Sequence, residues 1–296
     1  MRRRYVTLDV FTLTRFSGNP LAVVLESEGL DAAAMQKIAH EFNHPETVFV
    51  RPPAGKAHRA DLRIFTPANE LPFAGHPTVG TAVALARGGA QQQTFVVSEK
   101  VGPVACEVTL RDADSGEATF TLPKLPENVG GTPDLSSMAA GLGLSESDIG
   151  GDLEGGQWSA GVAFTCVPVK SLAAIGKARP QPGKFDAAFA SGGPAKAFLF
   201  CRETVEQGHD FHARMFAPAM GIPEDPATGS AVAAFGGLLA AQGNLGDGAH
   251  RIRIEQGYEM GRPSQIDLTL TMAGGRLLSG AIGGGAIVVT EGSIEA

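Results

Sequence analysis

Short stretches in which apolar and polar residues alternate recur along the whole chain, and this period of two predicts β-strands. Turns rich in glycine and proline separate the stretches, which favours strands joined by tight loops over a bundle of long helices. The predicted strands lie at residues 5–11, 21–25, 47–51, 94–97, 104–110, 118–122, 197–201, 252–255, 266–271 and 286–290.

Two other segments, residues 79–87 and 231–242, are almost entirely apolar and consist mainly of Ala, Val, Leu and Gly. An apolar surface on every side predicts a helix that is enclosed by sheet. A third helix is predicted at residues 32–42, with Asp31 as its N-cap. It is expected to end by His44, because the proline that follows disfavours helical backbone in the residue before it.

Each of the two apolar helices belongs to a repeated unit of strand, turn and helix. The segment that begins at Arg63 returns in altered form at Arg214, a spacing of 151 residues in a chain of 296. A spacing near half of the length indicates an internal duplication. The identical pairs at this spacing are Arg63/Arg214, Phe65/Phe216, Pro67/Pro218, Ala68/Ala219, Pro72/Pro223 and Ala82/Ala233.

The duplication and the strand pattern together predict an α+β fold of two pseudo-symmetric domains. Each domain is expected to be a curled, mostly antiparallel β-sheet or barrel around a central helix. The first half is predicted at residues 1–123 and the second at 124–296, with the proline- and glycine-rich stretch 124–133 as the crossing. The strand near 286–290 is a candidate to return to the first half.

Composition narrows the classes of partner. The formal net charge of -7 offers no basic surface for nucleic acid, so a small-molecule partner is expected. No apolar run approaches the ~18–20 residues that span a bilayer, so we expect no membrane partner and a cytoplasmic location. The three cysteines, Cys106, Cys166 and Cys201, are widely spaced among apolar neighbours, which predicts buried, reduced thiols.

The turns before the two apolar helices carry the candidate chemistry. A helix start has unpaired N–H groups and about half a positive charge, so it attracts anions. Gly75 and His76 stand at one predicted start, and the turn from Asp225 to Ser230 stands at the other. Two such starts that face one another across a cleft between the halves would hold a carboxylate-bearing substrate.

Five motifs occur in an order that resembles the PhzF-like family of phenazine biosynthesis, across almost the whole chain. They occupy residues 16–23, 45–50, 65–76, 215–231 and 256–264. The resemblance implies the fold of diaminopimelate epimerase, usually as a homodimer, and an isomerase that needs no cofactor and no metal. The family member that gave the name isomerises trans-2,3-dihydro-3-hydroxyanthranilate.

The same resemblance implies roles for individual residues. Glu46 is the acid–base group, and His76 and Asp225 position it or relay protons. Backbone N–H groups at the helix starts would hold the carboxylate of the substrate. The residues predicted to bind substrate are Asn19, Gly75, Gly229 and Ser230.

The residues themselves also favour Glu46 as the acid–base group. A proton shift along a carbon framework needs one group that both takes and returns the proton. Glu46 is flanked by Pro45 and by the apolar residues 48–50, which predicts partial burial. The cysteine pair that racemases of the wider superfamily carry at the helix starts is missing from this sequence. Pro45 stands where the family more often has serine, so the hydroxyl group of that serine is missing and the identity of the substrate is not determined.

Structural roles are the alternatives for each of these side chains. Glu46 could cap a strand or pair with an arginine, His76 and Asp225 could cap their helices, and Asn19 could be only a turn residue. Arg63 and Arg214 are expected to form structural ion pairs rather than to bind a ligand.

Other motifs in the sequence suggest functions other than an isomerase. The segment His40-Glu41-Phe42-Asn43-His44 matches H-E-x-x-H and suggests a zinc metallohydrolase, but Pro45 disturbs the helix at the second histidine. His209 and His212 form a second possible histidine pair, but they are expected on opposite faces of a strand. The glycine-rich residues 280–285 precede no helix, which disfavours a dinucleotide site. A catalytically inactive small-molecule-binding or interaction protein of the same fold is the remaining alternative.

Overall fold

The computed structural model describes residues 1–190 and 193–296. These residues form two compact units, of which the first is Met1–Pro123 with Ile282–Ala296 and the second is Lys124–Ala281. The chain passes from the first unit to the second at the start of the proline- and glycine-rich stretch.

Strands dominate both units. The strands are β1 (Arg2–Val10), β2 (Asn19–Val24), β3 (Glu46–Arg51), β4 (Ala60–Phe65), β5 (Glu70–Leu71), β6 (Gln92–Glu99), β7 (Gly102–Leu110), β8 (Ser115–Thr121), β9 (Glu127–Gly130), β10 (Gly156–Ser159), β11 (Ala163–Pro168), β12 (Ala197–Cys201), β13 (Phe211–Ala217), β14 (Ile222–Asp225), β15 (Gly248–Gln256), β16 (Ser264–Ala273) and β17 (Arg276–Glu295). The helices are α1 (Ala32–Phe42), α2 (Gly75–Ala86), α3 (Leu135–Leu142), α4 (Leu172–Ile175), α5 (Lys184–Phe189) and α6 (Gly229–Gln242).

Hydrogen bonds between the strands of the first unit close into a ring, so this unit is a β-barrel. β1 pairs antiparallel with β2, β2 parallel with β3, β3 antiparallel with β4, and β4 parallel with β6. β6, β7 and β8 follow as an antiparallel meander, and β17 pairs with both β8 and β1. Each parallel pair is joined by a connection that contains a helix, as parallel neighbours require.

Helix α2 lies inside this barrel, as the apolar pattern predicts. It packs against β1, β2, β3, β7 and β8, and ten of its twelve residues are buried. The helix begins at Gly75, earlier than the apolar run indicates, because Pro77 is tolerated in a first helical turn. A Cβ at Gly80 would come within 2.6 Å of Leu21 and 2.7 Å of Val10, so glycine allows the close approach to the barrel wall.

The C-terminal strand changes the predicted extent of the halves. The sequence suggested 124–296 for the second half, but Ile282–Ala296 belongs to the first unit. β17 pairs with the whole of β1, from Ala286 opposite Val10 to Glu295 opposite Arg2. This pairing gives β1 a second neighbour and removes a free sheet edge.

The second unit is a mixed sheet that packs on the buried helix α6. β9, β10 and β11 are antiparallel, β12 pairs parallel with β11, and β13 pairs antiparallel with β12 and parallel with β15. β16 then pairs antiparallel with β15. Phe235 of α6 contacts the rings of Phe198, Phe200 and Phe211, with centroids 4.5 to 5.6 Å apart. These aromatic contacts fix the helix on the sheet.

Helices α3, α4 and α5 were not predicted from the sequence. They are short, and their apolar residues form a separate core that includes Leu142, Phe185 and Phe189, together with Val167 and Leu199 of the sheet. Helices of four to eight residues carry too few turns for a periodic signal.

Helix α1 was predicted with its observed bounds. The Asp31 carboxylate accepts a hydrogen bond from the backbone N–H of Ala34 at 2.8 Å, which confirms the predicted N-cap. The helix ends at Phe42, because Asn43 adopts the left-handed conformation. None of the described helices is long and apolar enough to span a membrane.

Candidate active site

The start of α2 leaves backbone donors unused. Its N-cap residue is Ala74, and no side chain caps the helix in the described residues, so His76 does not have the capping role that was its alternative. Pro77 has no N–H group, so the N–H groups of Gly75 and His76 are the donors that a first turn leaves unpaired. Both residues are buried, which keeps water from competing for these donors.

Glu46 and His76 meet at this helix start. Glu46 Oε2 lies 3.3 Å from His76 Nε2, and their side chains are 14% and 6% exposed. Burial, aided by the nearby charge of His44, lowers the pKa of His76 to about 3. The distance alone would suggest an ion pair, but the imidazole is neutral near pH 7, so the contact joins a carboxyl group to a neutral ring.

The strand register brings Asn19 to the same place. Glu46 begins β3 and pairs with Leu21 of the parallel neighbour β2. Asn19 begins β2 and is fully buried, and the ring of His76 makes a hydrogen bond to the backbone of Pro20 between them. The structure therefore brings together three of the residues that the sequence predicted for the site.

The second unit carries the other predicted residues at the start of α6. Asp225 ends β14, is nearly buried, and accepts a hydrogen bond from the hydroxyl of Thr228. Thr228 is the N-cap residue of α6, and its side chain makes no capping hydrogen bond; a capping role for Asp225 stays the alternative. Gly229 and Ser230 are the first two residues of the helix, and Gly229 is buried. The expectation that this start and the start of α2 face one cleft stays a prediction.

Gln256 is the residue of this turn that the prediction missed. Its Nε2 donates to Asp225 O at 2.7 Å and to Thr228 Oγ1 at 3.1 Å, and its Oε1 accepts from Thr228 N at 3.2 Å. The sequence signal for Gln256 is the Gln256-Gly257 pair that begins the last of the five motifs. Glycine is required at position 257, because its φ is +82° and a side chain there would collide with the backbone oxygens of Pro226 and Arg262.

The H-E-x-x-H segment does not have the geometry of a zinc site. His40 lies in the last turn of α1, whereas His44 lies beyond its end and stacks on Phe42, with ring centroids 6.3 Å apart. Within the described residues, no group of three or more His, Cys, Asp or Glu side chains is arranged to hold a metal ion. Residues 280–285 lie inside β17, as expected of a strand rather than a dinucleotide loop.

The prediction for His209 and His212 is wrong. Both rings contact one carboxylate: His209 Nδ1 lies 2.7 Å from Glu255 Oε2, and His212 Nδ1 lies 2.7 Å from Glu255 Oε1. His209 precedes β13, so the alternation of faces along a strand does not apply to it. His212 also contacts Glu259 at 3.0 Å, which makes a buried charged cluster in the second unit.

This cluster predicts a loss of stability at alkaline pH. Burial opposes the charge on His212, but the hydrogen bonds that its ring donates to Glu255 and Glu259 outweigh it and raise the His212 pKa to about 9. The stability from the charged ring is complete below the unfolded pKa of about 6.5 and is lost as pH rises through about 9. Urea unfolding should show wild type losing about 2–3 kcal/mol more than His212→Gln between these pH values.

The matched control for this experiment is His40→Gln on the exposed end of α1. That variant should follow the wild-type pH dependence, because His40 makes no comparable buried contact among the described residues. Equal pH dependence of His212→Gln and wild type would contradict the charged state assigned to His212.

The three cysteines are free and buried, as predicted. Burial raises the pKa of Cys106 and of Cys201 to about 12, and it raises the pKa of Cys166 as well. The nucleophilic thiolate form is therefore disfavoured near neutral pH.

Comparisons with known proteins identify the family of this chain. Residues 8–292 match the family model described as phenazine biosynthesis-like protein. An uncharacterized isomerase of Mesorhizobium japonicum is 47% identical over 99% of this chain and 98% of its own length. The trans-2,3-dihydro-3-hydroxyanthranilate isomerase of Pseudomonas chlororaphis is 35% identical over 88% of this chain and 87% of its own. A PhzF-family phenazine biosynthesis protein of Bacillus anthracis has a solved structure that is 26% identical, with a TM-score of 0.90 and full coverage of both chains. The chain therefore belongs to the PhzF family of phenazine biosynthesis-like proteins and is an isomerase.

Proposed function

We propose that this isomerase shifts a proton on a small, carboxylate-bearing metabolite, and that Glu46 is the group that takes and returns the proton. The observation that carries the proposal is the Glu46–His76 contact at the uncapped start of α2. A buried carboxyl group beside a neutral imidazole has the proton acceptor and donor capacity that acid–base catalysis needs. No cofactor takes part in this scheme.

The tautomer of His76 supports a relay or positioning role for the ring. Proline has no N–H group, so the ring nitrogen bonded to Pro20 must donate its proton to the carbonyl oxygen. Among the described residues Nε2 has no hydrogen-bond partner, so the donor is Nδ1 and the lone pair of Nε2 faces Glu46. Glu46 can then donate to Nε2 while it carries the abstracted proton, which holds the carboxyl group in place for the return step.

The uncapped helix starts support recognition of a carboxylate. In contrast to α1, α3 and α4, whose N-cap side chains accept from their first turns, α2 and α6 begin without a side-chain cap in the described residues. We infer that the N–H groups of Gly75, Gly229 and Ser230 bind the substrate's carboxylate. Asn19 and Asp225 then contact or orient the substrate.

The same local structure occurs in each unit, which supports the proposal of two pseudo-symmetric halves of diaminopimelate epimerase-like fold. Arg63 donates to both oxygens of Glu70 at 2.8 and 2.9 Å, and Arg214 donates to both oxygens of Glu224 at 2.7 and 2.8 Å. In each case the ion pair spans two antiparallel strands just before the buried helix. A homodimer is proposed from the family resemblance, and light scattering of the purified protein would test it.

A hydrogen-exchange screen tests the proposed function. The protein is incubated in deuterated water with cyclic carboxylic acids, beginning with trans-2,3-dihydro-3-hydroxyanthranilate, and deuterium at carbon is followed by NMR. The matched control for each acid is its primary amide, which has the same ring and no negative charge. We expect exchange into an acid and not into its amide. Binding of the acids without exchange would indicate the inactive binding protein and would contradict the proposal.

Chelation tests the metal independence of the reaction. We expect incubation with a strong chelator to leave the exchange rate within about twofold, because α1 ends between His40 and His44 and the proposed proton transfer uses protein side chains and no metal ion. Elemental analysis of the purified protein accompanies the rate measurement. Stoichiometric zinc whose removal abolishes activity would contradict the mechanism.

A further inference from the structure

A second carboxyl group, Glu99, is buried against the first turn of α2. Glu99 ends β6 and is 6% exposed. Its Oε1 lies 2.7 Å from Oγ1 of Thr78, which is two residues beyond His76 in the helix. Its Oε2 has no hydrogen-bond partner among the described residues. The mechanism proposed above does not use this side chain.

The hydroxyl proton of Thr78 cannot serve both of its neighbours. Thr78 Oγ1 lies 2.7 Å from Ala74 O and 2.7 Å from Glu99 Oε1, and the hydroxyl has one proton. Ala74 O can only accept. Both hydrogen bonds are therefore complete only when Glu99 carries a proton and donates it to Thr78. Burial favours the same form, since desolvation raises the pKa of Glu99 to about 8.

The duplication provides a counterpart that is always neutral. Ala60 of β4 pairs with Val97 of β6, and Phe211, which lies 151 residues later, pairs with Ile254 of β15. Glu99 lies two residues after Val97 in β6, and Gln256 lies two residues after Ile254 in β15. Gln256 holds the start of α6 with an uncharged amide. A protonated carboxyl group is the closest match in shape and hydrogen bonding to that amide.

We propose that Glu99 is a positioning residue that works as a neutral carboxylic acid, holding the first turn of α2 without placing a negative charge at the helix start that receives the substrate's carboxylate. This inference rests on the proposed function, because it assumes that an anion binds at α2. An ionised Glu99 would repel that anion and would break the hydrogen-bond chain to Ala74.

No described cation faces Glu99 to stabilise its ionised form. His76 is the titratable residue of α2, and its lowered pKa keeps it neutral. Cys106 is the titratable neighbour on β7, and burial, followed by Glu99 itself, raises its pKa to about 12. Lys100 follows Glu99 in the chain but pairs with Glu70 at 3.0 Å. Among Glu99, His76 and Cys106, Glu99 is therefore the group whose pKa lies between neutral pH and pH 9.

The kinetic test compares wild type with Glu99→Gln, with trans-2,3-dihydro-3-hydroxyanthranilate as substrate, from pH 6.5 to 9.5. For wild type we expect KM to rise about tenfold for each pH unit above about 8, with kcat nearly constant. Glu99→Gln should keep the low KM over the whole range, because its amide cannot ionise. The same alkaline rise of KM in both proteins would overturn the inference, since a purely structural role predicts no such difference.

An infrared titration tests the protonation state without substrate. Wild type should lose one C=O stretching band of a protonated carboxyl group between pH 6.5 and 9.5, and Glu99→Gln should show no such change. Glu107→Gln, on the exposed face of β7, is the matched control and should lose the same band over the same pH range as wild type. Absence at pH 6.5 of a protonated-carboxyl band that wild type shows and Glu99→Gln lacks would overturn the inference whatever the kinetics show. Retained exchange in Glu46→Gln would instead refute the proposed function and leave this band unchanged.

Discussion

Replacing Glu46 with glutamine should lower turnover by at least about 10²-fold and leave the free energy of unfolding nearly unchanged. Glutamine keeps the shape of the side chain and its place beside His76, but it cannot take a proton from carbon. The measurement is deuterium incorporation into substrate, with thermal melts of both proteins recorded in parallel. The expected size is the lower end of what one positioned acid–base group contributes.

Three further variants make this result specific. Glu41→Gln changes an exposed glutamate of α1 and should leave exchange unchanged. His76→Asn and Asp225→Asn should lower turnover by smaller factors, since they position or relay rather than abstract. If Glu46 were only a structural ion-pair partner, Glu46→Gln would lose about 1–3 kcal/mol of stability and keep its exchange activity. That outcome would end the proton-shuttle mechanism.

Replacing Arg214 with methionine should lower the free energy of unfolding by about 3–5 kcal/mol, the largest stability effect that we expect in this protein. The Arg214 side chain is 1% exposed and pairs with both oxygens of Glu224. It also donates to the carbonyl oxygens of Ile175 at 2.9 Å and Ala178 at 3.0 Å. Methionine fills the space but leaves the Glu224 charge and two carbonyl groups without their donor. Urea unfolding measures the loss.

Arg63→Met is the matched control that the duplication provides. The Arg63 side chain is 23% exposed, and its partner Glu70 also contacts Lys100 at 3.0 Å. The Glu70 charge therefore keeps a cation when Arg63 is removed, so the loss should stay below about 2 kcal/mol. Equal losses in the two variants would show that burial does not determine the effect and would contradict the prediction.

Elements whose signal is local could be predicted from the amino-acid sequence. Asp31 predicts the start of α1, and Pro45 predicts that the helix ends by His44; the helix ends at Phe42, before the left-handed Asn43. The apolar runs predict two buried helices because a side chain of any orientation must then meet protein. The spacing of 151 residues reveals the duplication without any structure. Short helices such as α3 and α5 escape this kind of inference, since two turns hold too few residues for a period.

Tertiary pairing decided what the periodic pattern could not. β17 reads as a strand in either unit, and only its register with β1 assigns its last residues to the first. Strand alternation predicts His209 and His212 on opposite faces, but the turn before β13 brings His209 to Glu255, which His212 contacts from within the strand. Contacts between residues 43 to 46 positions apart depend on how loops close, and local sequence does not record that.

Some properties of the candidate site can likewise be predicted from the sequence, whereas others depend on the tertiary structure. Residue types at Glu46, His76 and Asp225 are visible in the sequence, because acid–base chemistry needs titratable groups and the motifs mark their positions. The protonation states of the site residues cannot be predicted from the sequence. The neutral ring of His76 and the protonated Glu99 depend on desolvation inside the barrel and on partners at Pro20 and Thr78 that come from other strands and helices. Protonation follows from the environment that folding builds around a group, so only the tertiary structure decides it.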